Sequence, residues 1–357
     1  MTKRKSTKRT GVVVLPPPEP AVLLADVREL IVQAREGVAR AVDSGLTTLY
    51  WQVGRRIRQD ILKERRADYG EKIVHALSAQ LVAEFGRGFT VRNLFNMIRF
   101  AEVYPDLKIV SALRSQLGWT HFRQVIPITD PLKRDFYAEM CRVERWSTRT
   151  LEKKIGSMLF ERTALSRKPA KLAEMELNQL REEDKVTPDL VFRDPYILDF
   201  LGLKDTYAEK DLEAAILREM EAFILELGVG FCFVARQWRM QIDDRDYYLD
   251  LLFYHRKLRR LIAIDLKIGK FEAADKGQME LYLGWLKRHA CEPEEAEPLG
   301  MILCAGRNEE HIALLQLQKS GIHVASYWTK ALPRKELERK LHEAVRLARA
   351  RLAAAKD

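Results

Sequence analysis

Three residues in the second half of the chain have the types and the spacing for metal-assisted phosphate chemistry: Asp250, Asp265 and Lys267. Each lies inside an apolar run, YYLDLLFYH (Tyr247 to His255) or LIAIDLKI (Leu261 to Ile268), where a lone charge is expensive. Two carboxylates held close together repel and take up protons unless a cation relieves them. A hard dication does this. Mg2+ (or Mn2+), which keeps much of its water, suits two carboxylates plus a substrate phosphate. Such an ion lowers the pKa of its bound water, and the Lys267 ammonium is placed to orient that water or to stabilise the transition state. The competing reading is an internal salt bridge of either aspartate with Lys267. It leaves one carboxylate unpaired.

The two runs, joined by the short basic link RKLRR (Arg256 to Arg260), read as a β-hairpin. If His255 faces Arg260, opposed residue numbers sum to 515, and Asp250 lies across from Asp265. Alternation then puts Leu249, Leu251 and Phe253 on one face with Asp250 on the other, and separates Ile262, Ile264, Leu266 and Ile268 from Asp265 and Lys267. A helix from about Glu209 to Leu227 precedes the hairpin. Its apolar stripe (Leu212, Ile216, Leu217, Met220, Ile224, Leu227) leaves Glu213 at the edge as a candidate third carboxylate, with Glu219 and Glu221 as rivals; a solvated helix face explains all three equally well. A helix from about Ala274 to His289 comes after the hairpin. Gln278 and Tyr282, four residues apart on it, share a face and can bond a phosphate, brace Lys267, or simply pack. Strands near Phe231 to Met240, Leu299 to Cys304 and His323 to Trp328, and helices over Glu309 to Gln318 and Leu337 to Ala354, complete an α/β domain.

The chain has 357 residues, 47% apolar and 31% charged, with 61 Lys+Arg against 51 Asp+Glu. That composition excludes fibrous and mainly disordered classes, and the length suggests two domains. No run reaches the ~18 apolar residues of a membrane span or the h-region of a secretory signal, so no membrane association and a cytoplasmic address are expected. The four cysteines (Cys141, Cys232, Cys291, Cys304) are scattered, without metal spacing, and read as buried thiols. Charge is unevenly distributed. Met1 to Ala170 carries 31 Lys+Arg and 18 Asp+Glu, while the remainder carries 30 and 33. A basic half beside a slightly acidic one fits a polyanion-holding module joined to a metal-holding one.

The basic half reads as all-α. After a proline-rich tail, Leu24 to Val38 and Leu49 to Ile61 predict two amphipathic helices, and a third runs from about Glu71 to Gly86-Arg87-Gly88. Thr90 caps a fourth, which buries Val91, Leu94, Phe95 and Ile98 and presents Arg92, Asn93, Asn96 and Arg99. Helix, glycine turn, helix is the outline of a helix-turn-helix, and these four side chains are donors suited to phosphates and base edges. An ordinary helical hairpin with a wet polar face fits the same pattern. His121 reads as a half-buried helix histidine. Trp146 to Leu165 reads as helix with Ser147 or Thr148 at its cap.

The strings FILELGVGFCFVARQWRM, YYLDLLFYHRKLRRLIAIDLKIGKF and KGQMELYLGWL resemble the PD-(D/E)XK nuclease superfamily, most closely its bacterial YhcG-like family. FGRGFTVRNLFNMIRFAEVYPD, LGWTHFRQVIPITD and WSTRTLEKKIGSMLFERTAL resemble that family's helical companion domain. The resemblance implies a restriction-endonuclease-like αβββαβ core, Asp250 and Asp265 as metal ligands, Lys267 as the catalytic lysine, and Gln278 and Tyr282 as the QxxxY feature of the RecB-like branch. Leu249 stands where the superfamily name has proline, and Asp265 takes the D/E position. The expected organisation is a tail (1–20), a helical DNA-binding domain (21–168), a linker (169–188), the nuclease domain (189–335) and a C-terminal helix (336–357). The expected function is Mg2+-dependent cleavage of DNA, with a homo-oligomer allowed. The alternatives are an inactive DNA-binding or assembly protein on a nuclease fold, and a structure-specific RNA nuclease.

Overall fold

The computed structural model describes residues 20–64, 67–168, 170–203, 206–306, 312, 314–330 and 332–354. Apart from Pro20, the expected tail lies outside the described residues, as does much of the expected Glu309 to Gln318 helix. The chain forms two compact units, Met1–Trp119 and Thr120–Asp357. Among the described residues no helix is long and apolar enough to cross a membrane.

The first unit is helical: α1 (Pro20–Glu64), α2 (Ala67–Phe85), α3 (Val91–Val103) and α4 (Leu107–Leu113). The two helices expected before Glu64 are one. Gly37 and Gly45 lie inside it with open space around them, so neither acts as a stop. Its C-terminal half crosses α3 so closely that a Cβ at Gly54 would stand 1.8 Å from the Met97 carbonyl oxygen. Around this crossing Ile57, Val74, Leu94 and Met97 are buried together. Gly86 takes φ +86° after α2, as a glycine helix stop does, and Thr90 occupies the N-cap position of α3 without a side-chain cap bond.

In the second unit α5 (Trp119–Val125), α6 (Pro131–Glu144), α7 (Thr148–Gly156) and α8 (Leu159–Arg162) precede the sheet. Ser147 caps α7 through Thr150 N–H, and the expected single helix to Leu165 breaks at Met158, whose φ is +53°. His121 bonds the Trp146 carbonyl at 3.0 Å. The segment expected as a linker carries helix α9 (Ala170–Glu183), burying Ala173, Leu177 and Leu180, followed by the short α10 (Pro188–Val191). Arg162 helps to fasten these helices to the sheet: it pairs with Glu226 and donates to the Pro195 carbonyl at 3.2 Å. The thiol expectation also needs correction, since Cys232 is exposed and Cys291 half-buried.

The sheet has six strands, β1 (Tyr196–Ile197), β2 (Phe231–Ile242), β3 (Arg245–His255), β4 (Arg260–Lys270), β5 (Leu299–Gly306) and β6 (Ile322–Trp328), in the order β1-β6-β5-β4-β3-β2. Strands β2, β3 and β4 are antiparallel neighbours, while β4, β5, β6 and β1 run parallel. On one face α11 (Glu209–Arg218) and α12 (Met220–Leu227), two helices broken at Glu219 rather than one, cover Leu251, Phe253, Ile262, Ile264 and Leu266. On the other, α13 (Ala273–His289) covers Leu249, Leu252, Ala263 and Ile302. The final helix, α14 (Arg334–Ala354), buries Leu337 and Leu341 beside Met158. Leu249 therefore packs opposite Leu251 and Phe253, contrary to simple alternation: the side-chain parity of β3 switches at Asp250.

Candidate active site

The β3–β4 ladder runs from His255↔Arg260 to Leu251↔Ile264, so the opposed residue numbers do sum to 515. It ends one pair before Asp250 and Asp265. There the strands part, and Asp250 Oδ2 accepts the Leu266 backbone N–H at 2.8 Å in place of a ladder bond. Across β2 the neighbouring irregularity is Gln237, held at φ +45°, a conformation costly for a side chain with a Cβ. Its amide nitrogen donates both to Asp250 Oδ1 at 3.2 Å and to Glu213 Oε2 at 2.9 Å. One α11 carboxylate and one β3 carboxylate are thus tied through a single amide.

Asp265 is buried, and its Oδ2 lies 2.9 Å from Lys267 Nζ. The salt bridge weighed from sequence is present in this form. Behind it on α13, Gln278 donates to the Tyr282 hydroxyl at 2.5 Å, and that hydroxyl donates to the Tyr248 carbonyl at 3.4 Å. The Lys267 carbonyl accepts the Tyr327 hydroxyl at 3.2 Å. Of the three candidate glutamates, Glu213 is the one joined to Asp250. Glu219 sits at the α11–α12 break near Arg218, and Glu221 is exposed.

Charge at this site is out of balance. Burial pushes Asp250 up to about 6; the Leu266 N–H opposes the rise, and the charges of Asp265, Glu209 and Glu213 add to it. Burial also raises Asp265, and the Lys267 ammonium only partly offsets it. Lys267 is raised: burial works against its charge, and Asp265 more than compensates. Two residues absent from the sequence expectation belong here. Glu209, at the first position of α11, adds negative charge felt by Asp250, Asp265 and Lys267. Asp275 does the same for Asp265 and Lys267, although its Oδ2 is already engaged by the Glu272 N–H at 2.8 Å. Helix-start acids facing a site are visible in the sequence as Glu209 and Asp275, but which of them face it is decided by the fold. Gln237 has no sequence signal.

Among the described residues no group of three or more His, Cys, Asp or Glu gathers closely enough to cage a metal. The donor set nonetheless fits a hydrated hard dication. Asp250 and Asp265 bring oxygen donors from adjacent strands, Lys267 is the ammonium paired with Asp265, and the remaining coordination would fall to water and substrate.

On α3, Leu94, Met97, Phe100 and Ala101 form the buried stripe. That phase differs from the expected one. Phe95 is 41% exposed and shares the outer face with Arg92 and Arg99, both exposed. Asn93 is half-buried and committed to the fold: its amide nitrogen donates to the Gly88 carbonyl at 2.5 Å, and its oxygen accepts the Trp119 indole N–H at 3.0 Å. Asn96 is half-buried.

Residues 189–343 match the family model described as the YhcG PDDEXK nuclease domain, and residues 26–162 match the DUF1016 N-terminal domain. An Escherichia coli (strain K12) protein called "Putative nuclease YhcG" is 34% identical over 336 residues, covering 85% of this chain and 88% of that one. A solved repair endonuclease from Pyrococcus abyssi is similar at 22% identity and TM-score 0.25, over 36% of this chain and 50% of that one, too weak a likeness to carry an argument.

Proposed function

The chain belongs to the YhcG family of PDDEXK nucleases, and from that premise we propose that it is a Mg2+- or Mn2+-dependent endonuclease of DNA acting in the bacterial cytoplasm. The catalytic part spans residues 189–335, and the helical N-terminal region, with a helix-turn-helix outline at α2–α3, holds the nucleic acid through Arg92, Arg99 and Asn96. One observation carries the reading: two carboxylates of adjacent strands, half-buried Asp250 and buried Asp265, share a site with Lys267, and Asp250 is raised to about 6 there.

Asp250 and Asp265 would hold the ion. Bound there, it supplies charge neutralisation at the scissile phosphate and an acidified water. Lys267, whose three-donor ammonium is held beside Asp265 by their ion pair, stabilises negative charge developing on the phosphate oxygens. Gln237 fixes the orientation of Asp250 through its amide, and Glu213 anchors that amide from the other side. Gln278 fixes the Tyr282 hydroxyl, which, donating to the Tyr248 carbonyl, braces the wall of the site behind Lys267.

Plasmid incubated with purified protein and Mg2+ or Mn2+ tests this. Nicking or linearisation by the wild type, lost in Asp250→Ala and in EDTA, is the expected result. Equal cleavage by the variant, or none with either metal, overturns it; salt-sensitive binding without cleavage would then favour the inactive DNA-binding reading. RNA cut in preference to DNA would transfer the same site to the other substrate.

A further inference from the structure

We infer that the outer face of α3 is a stacking platform for unpaired bases of a single-stranded nucleic acid, with Phe95 under the base and Arg92 and Arg99 on the flanking phosphates. This rests on the reading that the substrate is a nucleic acid. Arg92 and Arg99 stand three residues before and four residues after Phe95, which makes all three neighbours on one helix face. Neither arginine forms an ion pair among the described residues. Asn93, one of the base-edge donors expected from the sequence, has both ends of its amide occupied within the fold.

What remains on the surface is an exposed ring between two exposed guanidinium groups. Base-edge readout of a duplex relies on bidentate donors and acceptors; a bare aromatic face with cations binds any unstacked base and its backbone. The turn before α3 repeats the chemistry. Phe85 is 65% exposed, its ring centroid 6.1 Å from that of Phe89, and Arg87 beside it is exposed. The first unit's sequence carries 20 Lys+Arg against 12 Asp+Glu, so most of the chain's excess of +10 lies in it. That charge complements a polyanion and argues against a second apolar protein face as the occupant.

The test uses the full chain in EDTA, which stops cleavage, and reads fluorescence anisotropy with labelled oligo-dT, oligo-U and a mixed-sequence duplex at fixed salt. Phe95→Ala is expected to weaken single-strand binding about tenfold, while Phe95→Trp retains it and duplex binding is unchanged. Arg99→Gln is expected to lower the salt slope by roughly one contact. The oligo-dT and oligo-U arms decide whether the strand is DNA or RNA. Wild-type binding by Phe95→Ala, or equal losses on single strand and duplex, overturns the inference. Phe95 is exposed, so its variants should melt with the wild type; were Phe95→Ala to misfold, Arg99→Gln and Phe95→Trp still decide. Failure of the nuclease reading would appear separately, as wild type that binds in EDTA but cuts nothing with metal.

Discussion

Replacing Asp250 by asparagine should make the metal-free protein more stable at alkaline pH, not less. Burial, together with Asp265, Glu209 and Glu213 and against the Leu266 N–H, raises this carboxyl to about 6. The unfolded chain ionises near 3.9, so the difference is about two pKa units, or at most ~3 kcal/mol at 1.36 kcal/mol each. Partial water access reduces this to about 1–3 kcal/mol. A raised carboxyl pKa means that the folded state keeps its proton while the unfolded state has lost it. Stability is therefore lost between about pH 4 and pH 6, and the whole deficit is present above pH 7. Asparagine keeps an oxygen for the Leu266 N–H, gives up the acceptor that the Gln237 amide nitrogen reaches, and carries no charge. Unfolding in EDTA at pH 4.5 and pH 8 should show a variant advantage that is small at the first and about 1–3 kcal/mol at the second, a gain of several degrees in Tm. Added Mn2+ should reverse the order by stabilising only the wild type. An advantage independent of pH, or a variant less stable at pH 8, would refute the charge argument.

Gln237→Ala removes the amide linking Glu213 to Asp250, and a loss of about 10–100-fold in Mn2+ affinity or turnover is expected, with the fold intact by circular dichroism. Gly54→Ala should destabilise the first unit by about 1–3 kcal/mol or more, because its Cβ meets the Met97 carbonyl at 1.8 Å; helix propensity alone predicts the opposite sign, about 1 kcal/mol of gain, so thermal unfolding separates the two. Burial lowers His255 to about 4, so its ring should stay neutral in an NMR titration down to about pH 5. Its stabilising contribution, present above pH 6.5, is lost as pH falls toward 4.

The hairpin is legible in the sequence because its determinants are local. Two apolar runs joined by a short basic link leave few registers, and the ladder from His255↔Arg260 to Leu251↔Ile264 is the one that the link's length dictates. The course of β3 on the Asp250 side of Leu251 is not legible in the same way. The parity switch at Asp250 and the left-handed Gln237 depend on how β3 leaves β4 for its partner on the other side, which no residue announces. The phase of α3 departs from the sequence expectation for a similar reason. Val91, Leu94, Phe95 and Ile98 satisfy helical spacing, but the Gly54 gap in α1 seats the Met97 backbone and rotates Phe95 outward. The continuity of α1 past Gly37 and Gly45, and the helix at Ala170–Glu183, show the same limit: glycine and charge runs suggest a break, and packing elsewhere decides.

If Asp250 and Asp265 jointly hold a dication next to Lys267, a crystal soaked in Mn2+ will show it. An anomalous peak about 2.1 Å from an oxygen of each aspartate is expected, present in Lys267→Ala and absent in Asp265→Asn. A peak that contacts only one of the two carboxylates, or none at all at saturating metal, would contradict it.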